Sequence, residues 1–355
     1  MVKVSLITNI PAPYREMVHE LVSEHFNGHY NVVYCAEREA DREWKFQYGK
    51  YQKALLSDIN IGAVHNNIKI LSILNSLKPD VLIIMGFYPT MLYTYLWALF
   101  NRKKLIIFTD GTLSSESHLS IIHKLVRKIV FIKASSFIGP SNGAADLYKS
   151  YNISLDKFFR TYLCVNNDLF FTLPLNEKKY DLMFSGQFIE RKMPFFFIEV
   201  AKGIKLHYKK CKVLILGSGP LGDEMISLLN KYDIEYDFPG FIDQKELPLY
   251  YSKSKLFLFP TLNDPWGVVA NEALASGLPV ITCENAGVAD DLVRDDFNGY
   301  ILPLVAQLWI EKIITILDQP ILYQTLSDNA VAHVKKYNFS NAAKGIIDAI
   351  NFSRK

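Results

Sequence analysis

Short, continuously apolar runs separated by helical segments recur in two series along the chain, and this pattern constrains the fold more than any other feature. VKVSLIT (2–8), YNVVYCA (30–36), DVLIIMG (80–86), KLIIFTD (104–110) and SSFIGP (135–140) form the first series, with YREMVHELVSEHF (14–26) at helical spacing between two of them. The series restarts at YDLMFSG (180–186), KVLILGSG (212–219), KLFLFPT (255–261) and LPVITC (278–283). Strands apolar on both faces and joined by helices predict parallel sheets covered on both sides. The polar, turn-rich VNNDLFFTLPLNEKK (165–179) reads as the linker. The expectation is an α/β chain of two doubly wound, Rossmann-like domains, 1–168 and 169–355, facing across a cleft, with the final helix packing back on the first domain. Ligands in such folds sit beyond the carboxyl ends of the strands, so residues following the strands are the ones to inspect.

A chain of 355 residues, half of them hydrophobic, can bury two large cores. Four cysteines without a close pair suggest neither a disulfide framework nor a zinc knuckle. The opening MVKVSLITNIPAPY lacks the apolar core and cleavage site of a signal peptide, and no apolar run reaches the roughly 18 residues that span a bilayer. A cytoplasmic location is expected, and TMLYTYLWALF (90–100) is read as a buried helix. Net charge is +3 without any long charge block, so no nucleic-acid partner is expected. Residues 1–175 hold 19 Lys and Arg against 14 Asp and Glu, whereas 176–355 hold 20 against 22. This asymmetry points to an anionic surface or substrate for the first half, or to an ordinary solvated face.

Three segments carry chemistry. LILGSGPLGDEM (214–225) contains G-x-G-x-x-G at Gly217, Gly219 and Gly222, with Asp237 where a dinucleotide fold places its ribose acid. The motif sits on the second strand of its series, not the first, which weakens a nicotinamide reading and leaves a tight packing turn as the alternative. In NDPWGVVANEALASGLPVIT (263–282), a turn over Asn263–Gly267 opens a helix from Val268 that Gly277 ends. Gly267 lets a ligand approach the first N–H groups of that helix, an anion site suited to phosphate. Glu272, one turn on, can accept from ribose hydroxyls, and Asp264 from those of an attached sugar. The alternative is a capping acid and a solvated helix Glu. In SGQFIERKMP (185–194), Arg191 and Lys192 can neutralise a diphosphate.

Together these segments resemble the family 4 retaining glycosyltransferases of GT-B architecture. FSGQFIERK matches the family's G-R-x-x-x-x-K, LILGSGPL its I-G-x-G-P-x, FPGFID its F-x-G-x-x, and FPTLNDPWGVVANEALASGLPVI its P-S-x-x-E-P-x-G-x-x-x-x-E-A-x-A-x-G-x-P-V-I signature. NIPAPYRE resembles the first loop of members with an x-P-x-P-Y-R turn, which brings in Tyr14 and Arg15 on the acceptor side. The resemblance implies transfer of a hexose-type sugar from a nucleotide-diphosphate donor to a glycan or lipid-linked acceptor, in surface polysaccharide or glycolipid assembly. No cofactor is implied, and no metal. Donor binding falls to Gln187, Arg191, Gly217, Phe241, Ile242, Trp266, Gly267, Val268 and Glu272, and catalysis to Lys192 and Asp264. Gln187 replaces the usual diphosphate Arg, and Asp264 a usual Glu. The family's N-domain His is not evident; Asp110 and His118 are the candidates. No D-x-D metal motif stands on a plausible loop, and Asp290-Asp291 is placed on a helix. LSIIHKLVRKIVFIK (119–133) reads as a basic amphipathic helix, with Lys124, Arg127 and Lys128 on an anionic membrane face. Rival readings are a non-catalytic GT-B partner subunit and a GT-B nucleotide-sugar 2-epimerase.

Overall fold

The computed structural model describes residues 1–37, 48–56, 60–61 and 64–355. The chain divides into two compact units. Unit 1 is Met1–Cys164 together with Phe339–Lys355, and unit 2 is Val165–Asn338.

Unit 1 begins with β1 (Val4–Thr8), α1 (Pro13–His25), β2 (Tyr30–Tyr34) and β3 (Gln52–Leu55), then a small pair, β4 (Asn60–Ile61) and β5 (Val64–His65). It continues through α2 (Ile70–Leu77), β6 (Val81–Met85), α3 (Pro89–Phe100) and β7 (Lys104–Phe108). After these come α4 (Ile121–Lys133), β8 (Ser136–Gly139), α5 (Asn142–Ser150) and β9 (Phe158–Arg160). Its main sheet runs β3-β2-β1-β6-β7-β8-β9, all parallel. The strand order reverses at β1, so the segments after β1 and β6 open beside each other at the carboxyl edge.

Unit 2 holds β10 (Tyr180–Ser185), α6 (Pro194–Tyr208), β11 (Lys212–Leu216), α7 (Gly222–Lys231), β12 (Glu235–Gly240) and α8 (Leu247–Tyr251). It then adds β13 (Ser254–Phe259), α9 (Val268–Ala275), β14 (Val280–Thr282), β15 (Gly299–Ile301), α10 (Ala306–Asp318) and α11 (Pro320–Val334). Its parallel sheet runs β12-β11-β10-β13-β14-β15, with the reversal at β10. The last helix, α12 (Phe339–Ser353), returns to unit 1. There Ser136 and Thr161 donate to the carbonyls of Ala349 and Ala342 at 3.0 and 2.8 Å, and Gly345, lacking a side chain, seats the helix on the Arg160 carbonyl.

The elements follow from local chemistry. Strands such as Val4–Thr8 are buried along their whole length, as a sheet covered on both faces demands. Helices α1, α3, α6 and α11 start with a proline in the first turn, where its missing N–H is no loss. Ser120 and Ser141 cap α4 and α5.

Two expectations need correction. The 90–100 helix is not wholly buried: α3 turns Leu96, Leu99 and Phe100 outward, while Met91, Tyr95, Trp97 and Ala98 join the buried core of the unit. Asp290-Asp291 lies on no helix. The 284–296 segment is a series of turns and isolated bridges in which Asp290 has φ 59°, outside helical geometry, and Asp291 is buried.

Candidate functional site

The site in unit 2 is assembled at the strand-order reversal, where the loops after β10 and β13 lie side by side. Leu262 N–H and the Thr261 hydroxyl both donate to the Arg191 carbonyl, at 2.9 and 3.0 Å, and tie the two loops together. Residues Glu190–Lys192 form one tight turn, ended by Met193 in a left-handed conformation before Pro194 starts α6. This turn projects Arg191 and Lys192 toward Asp264. The Lys192 ammonium bonds Asp264 Oδ2, and Arg191 Nη1 reaches the same oxygen at 3.3 Å and the Asn263 carbonyl at 2.8 Å. Asp264 Oδ1 accepts from Trp266 N–H at 3.2 Å. Burial pushes the Asp264 carboxyl up, but Lys192 and Arg191 outweigh this and hold it below the usual carboxylate range. Two cations and one anion thus share a corner, leaving one net positive charge.

Glu272 is not a solvated helix residue. It is buried on α9, and the Tyr251 hydroxyl donates to it at 2.7 Å. Burial pushes its carboxyl up to about 7, against the hydrogen bond from Tyr251. Nothing in the sequence marks Tyr251 as this partner; the pairing arises from the packing of α8 on α9. Gly267 is needed by the fold itself: it has φ 109°, and a Cβ there would overlap the Phe259 ring. Val268 and Val269 open α9 just beyond it.

Trp266 does not line a ligand site with its indole. The ring is 1% exposed, donates to Asn271 at 2.9 Å and lies against Tyr337, so it is a core residue. Gly217 and Gly219 are required by the fold itself. A side chain at either would overlap the backbone of Gly186 or Phe188, so these glycines let two loops meet. Gly217 N–H donates to the Gly240 carbonyl at 3.0 Å, which sets half-exposed Phe241 and partly buried Ile242 beyond the same edge, and Gln187 lies partly buried on the facing loop. Asp237, the residue a ribose would need, instead accepts from Tyr180 at 2.5 Å and pairs with Lys212 at 3.4 Å.

Unit 1 contains a pocket of about 830 Å³ at the carboxyl ends of β1, β6 and β7. Arg15 and Asp110, 95 residues apart in sequence, meet in it through two hydrogen bonds of 2.9 and 3.1 Å. Arg15 is buried, with its guanidinium 4.7 Å from the centre of the Phe108 ring and 5.7 Å from that of Tyr14. Burial works against its charge, and Asp110 more than offsets this. His118 is exposed and outside the pocket; the histidine on its wall is His123, anchored through Nδ1 to Ser120 at 2.9 Å.

Arg127 also departs from expectation. It is buried, pairs with Glu116 at 2.8 Å and covers the Phe87 ring at 4.2 Å, so it braces the 109–120 loop and presents no charge to a surface. Lys124 and Lys128 remain exposed on α4. The same helix leaves Ile121, Ile122, Leu125, Ile129 and Ile132 between 49% and 85% exposed. No helix among the described residues is long and apolar enough to cross a membrane, and no group of metal-ligating side chains occurs among them.

With this geometry in place, comparison with known proteins is informative. Residues 165–333 match the family model described as glycosyl transferases group 1. An uncharacterized glycosyltransferase of Methanocaldococcus jannaschii is 25% identical over 147 residues, 40% of this chain and 37% of that protein. Alpha-monoglucosyldiacylglycerol synthase of Acholeplasma laidlawii is 30% identical over 132 residues, 37% of this chain and 33% of its own. The chain thus spans about a third of the length of these two relatives. HepE of Anabaena, solved with UDP, is 14% identical and superposes with a TM-score of 0.78 over 99% of this chain and 100% of its own. The same protein solved with UDP-glucose gives a TM-score of 0.76. Unit 2 therefore carries the match to glycosyl transferases group 1, and the chain as a whole has the GT-B fold of two parallel-sheet α/β domains.

Proposed function

We propose that the protein is a retaining glycosyltransferase. It moves a hexose-type sugar from a nucleotide-diphosphate donor to a glycan or lipid-linked acceptor, without a metal or other cofactor. The observation that carries the reading is the Lys192–Asp264–Arg191 corner beside buried Glu272, within the segment that matches the glycosyl transferase model. HepE, solved with UDP and UDP-glucose, supports a nucleotide-sugar donor.

In this reading the donor ribose donates to Glu272, and the diphosphate takes its place beside Lys192, Arg191 and the first N–H groups of α9. As the sugar–phosphate bond breaks, negative charge grows on the diphosphate, and the two cations stabilise it. Asp264, released from part of its hold on Lys192, accepts from sugar hydroxyls. A retaining transfer with acceptor and leaving group on one face needs no protein nucleophile, since the diphosphate oxygen takes the acceptor proton. Asp110, oriented by Arg15, accepts from an acceptor hydroxyl in unit 1, with Tyr14 beside it. The exposed apolar residues of α4, flanked by Lys124 and Lys128, support a reading in which the enzyme rests on the anionic inner face of the membrane. The lipid synthase among its relatives supports a role in glycolipid or surface polysaccharide assembly.

The test is transfer from UDP-, GDP- and ADP-sugars with and without chelator, with the product anomer assigned by NMR. An inverted anomer overturns retention, and loss of turnover with chelator overturns metal independence. Gln187, in the place of a diphosphate arginine, favours a second reading as a binding subunit. Nucleotide binding with no turnover on any acceptor would establish that instead.

A further inference from the structure

The pocket of unit 1 is divided by element. On the side of β1, β7 and α1 it presents Thr8, Asn9, Thr109 and the Arg15–Asp110 pair. On the side of α3 and α4 the wall is Leu92, Leu119, Ile122 and Val126 with Phe87 and Tyr88. Apart from exposed His123, whose Nδ1 is held by Ser120, the polar groups of that second side are already engaged. Arg127 is spent on Glu116, and its guanidinium covers the Phe87 face on which a sugar ring would otherwise stack. Hydroxyls of a second or third sugar buried here would lose water without finding partners, at a cost of a few kcal/mol each in general.

Ile122 connects this wall to the outside. It lines the pocket and is still 73% exposed. The apolar wall therefore runs without interruption onto the face of α4 where Leu125 and Ile129 are also bare. A sugar head alone leaves most of about 830 Å³ empty.

We infer that the pocket takes an amphiphilic acceptor, with its hydroxylated head at Asp110 and Arg15 and the first methylenes of a single alkyl chain along Leu92, Val126 and Ile122. This rests on the transferase reading for its purpose, but the chain site is a property of unit 1 alone. It also differs from membrane docking, because it operates on one dissolved acceptor molecule with no bilayer present.

The experiment uses the full chain in solution, without vesicles, and a series of alkyl β-glucosides from methyl to octyl below their micelle concentrations. Affinity is measured by calorimetry, and transfer from UDP-glucose is followed separately. Affinity should rise roughly fourfold for each methylene that becomes fully buried, then level off as the chain leaves the pocket. Ile122→Asp, at an exposed position that tolerates charge, should flatten the series to within about twofold. Phe100→Asp, an equally apolar and exposed change outside the pocket, should leave it intact. A flat series in the wild type, an unaltered slope in Ile122→Asp, or equal loss in Phe100→Asp each overturns the inference. A slope that persists in a protein giving no transfer sinks the transferase reading and upholds the chain site.

Discussion

Glu272→Gln separates the cost of the donor site from its use. In the folded chain the Glu272 carboxyl is raised from an ordinary 4.5 to about 7, chiefly by burial. For an acid whose folded pKa is raised, stability is fully present below the unfolded value and is lost as pH climbs through the folded one. Wild-type stability should therefore decline between about pH 4.5 and pH 7 and level off above that. At about 1.4 kcal/mol per pH unit, the gap amounts to roughly 3 kcal/mol. Glutamine keeps an acceptor for the Tyr251 hydroxyl and carries no charge. Glu272→Gln should match wild type at pH 4.5 and exceed it by roughly 3 kcal/mol at pH 8. The measurement is urea unfolding at both pH values, read through exchange protection of α9. The same substitution should weaken UDP binding at pH 8 by about 1.5–3 kcal/mol, since a charge-assisted pair with the ribose is lost. A variant less stable than wild type at pH 8, or one that binds UDP unchanged, would refute the reasoning, because the carboxylate would then be neither a burden to the fold nor a partner of the donor.

Other outcomes follow from single contacts. Lys192→Ala should lower turnover on the order of a hundredfold with modest loss of nucleotide affinity; wild-type turnover would remove Lys192 from the diphosphate. Arg127→Gln leaves Glu116 buried without its cation and should cost about 3–5 kcal/mol in denaturant unfolding, while a neutral effect would mean that Glu116 is held otherwise. Gly267→Ala forces a Cβ into the Phe259 ring at positive φ, and a loss of about 1–3 kcal/mol is expected; an unchanged melting midpoint would contradict the overlap. Lys124→Gln with Lys128→Gln should reduce sedimentation with anionic vesicles at low salt and leave UDP affinity intact, since each basic residue near a bilayer contributes about 1 kcal/mol that salt screens. Equal partitioning of variant and wild type would return α4 to a role in packing alone.

The fold was legible because its signal is local. Apolar runs such as VSLIT and the later LMFS and LFLF must be strands buried on both faces, and their order with intervening helices leaves a parallel sheet as the economical solution. Proline at the start of α1, α3, α6 and α11 marks helix entry by the same local logic. Lys192 and Asp264 were also readable as charges on loops that follow strands. Their union was not, because the two residues are 72 apart in sequence and meet only when the strands before their loops become neighbours in one sheet. Periodicity likewise could not tell exposed Lys124 from Arg127. Both lie on one basic helix, and only the loop that brings Glu116 against α4 turns Arg127 into a buried brace. Trp266 and Glu272 show the same limit. A residue type announces what it can bond to, whereas burial and the partner supplied by another element, Asn271 for the indole and Tyr251 for the carboxyl, decide what it does bond to. Chemistry is written residue by residue, but desolvation and pairing are properties of the space between elements, and only the tertiary structure defines that space.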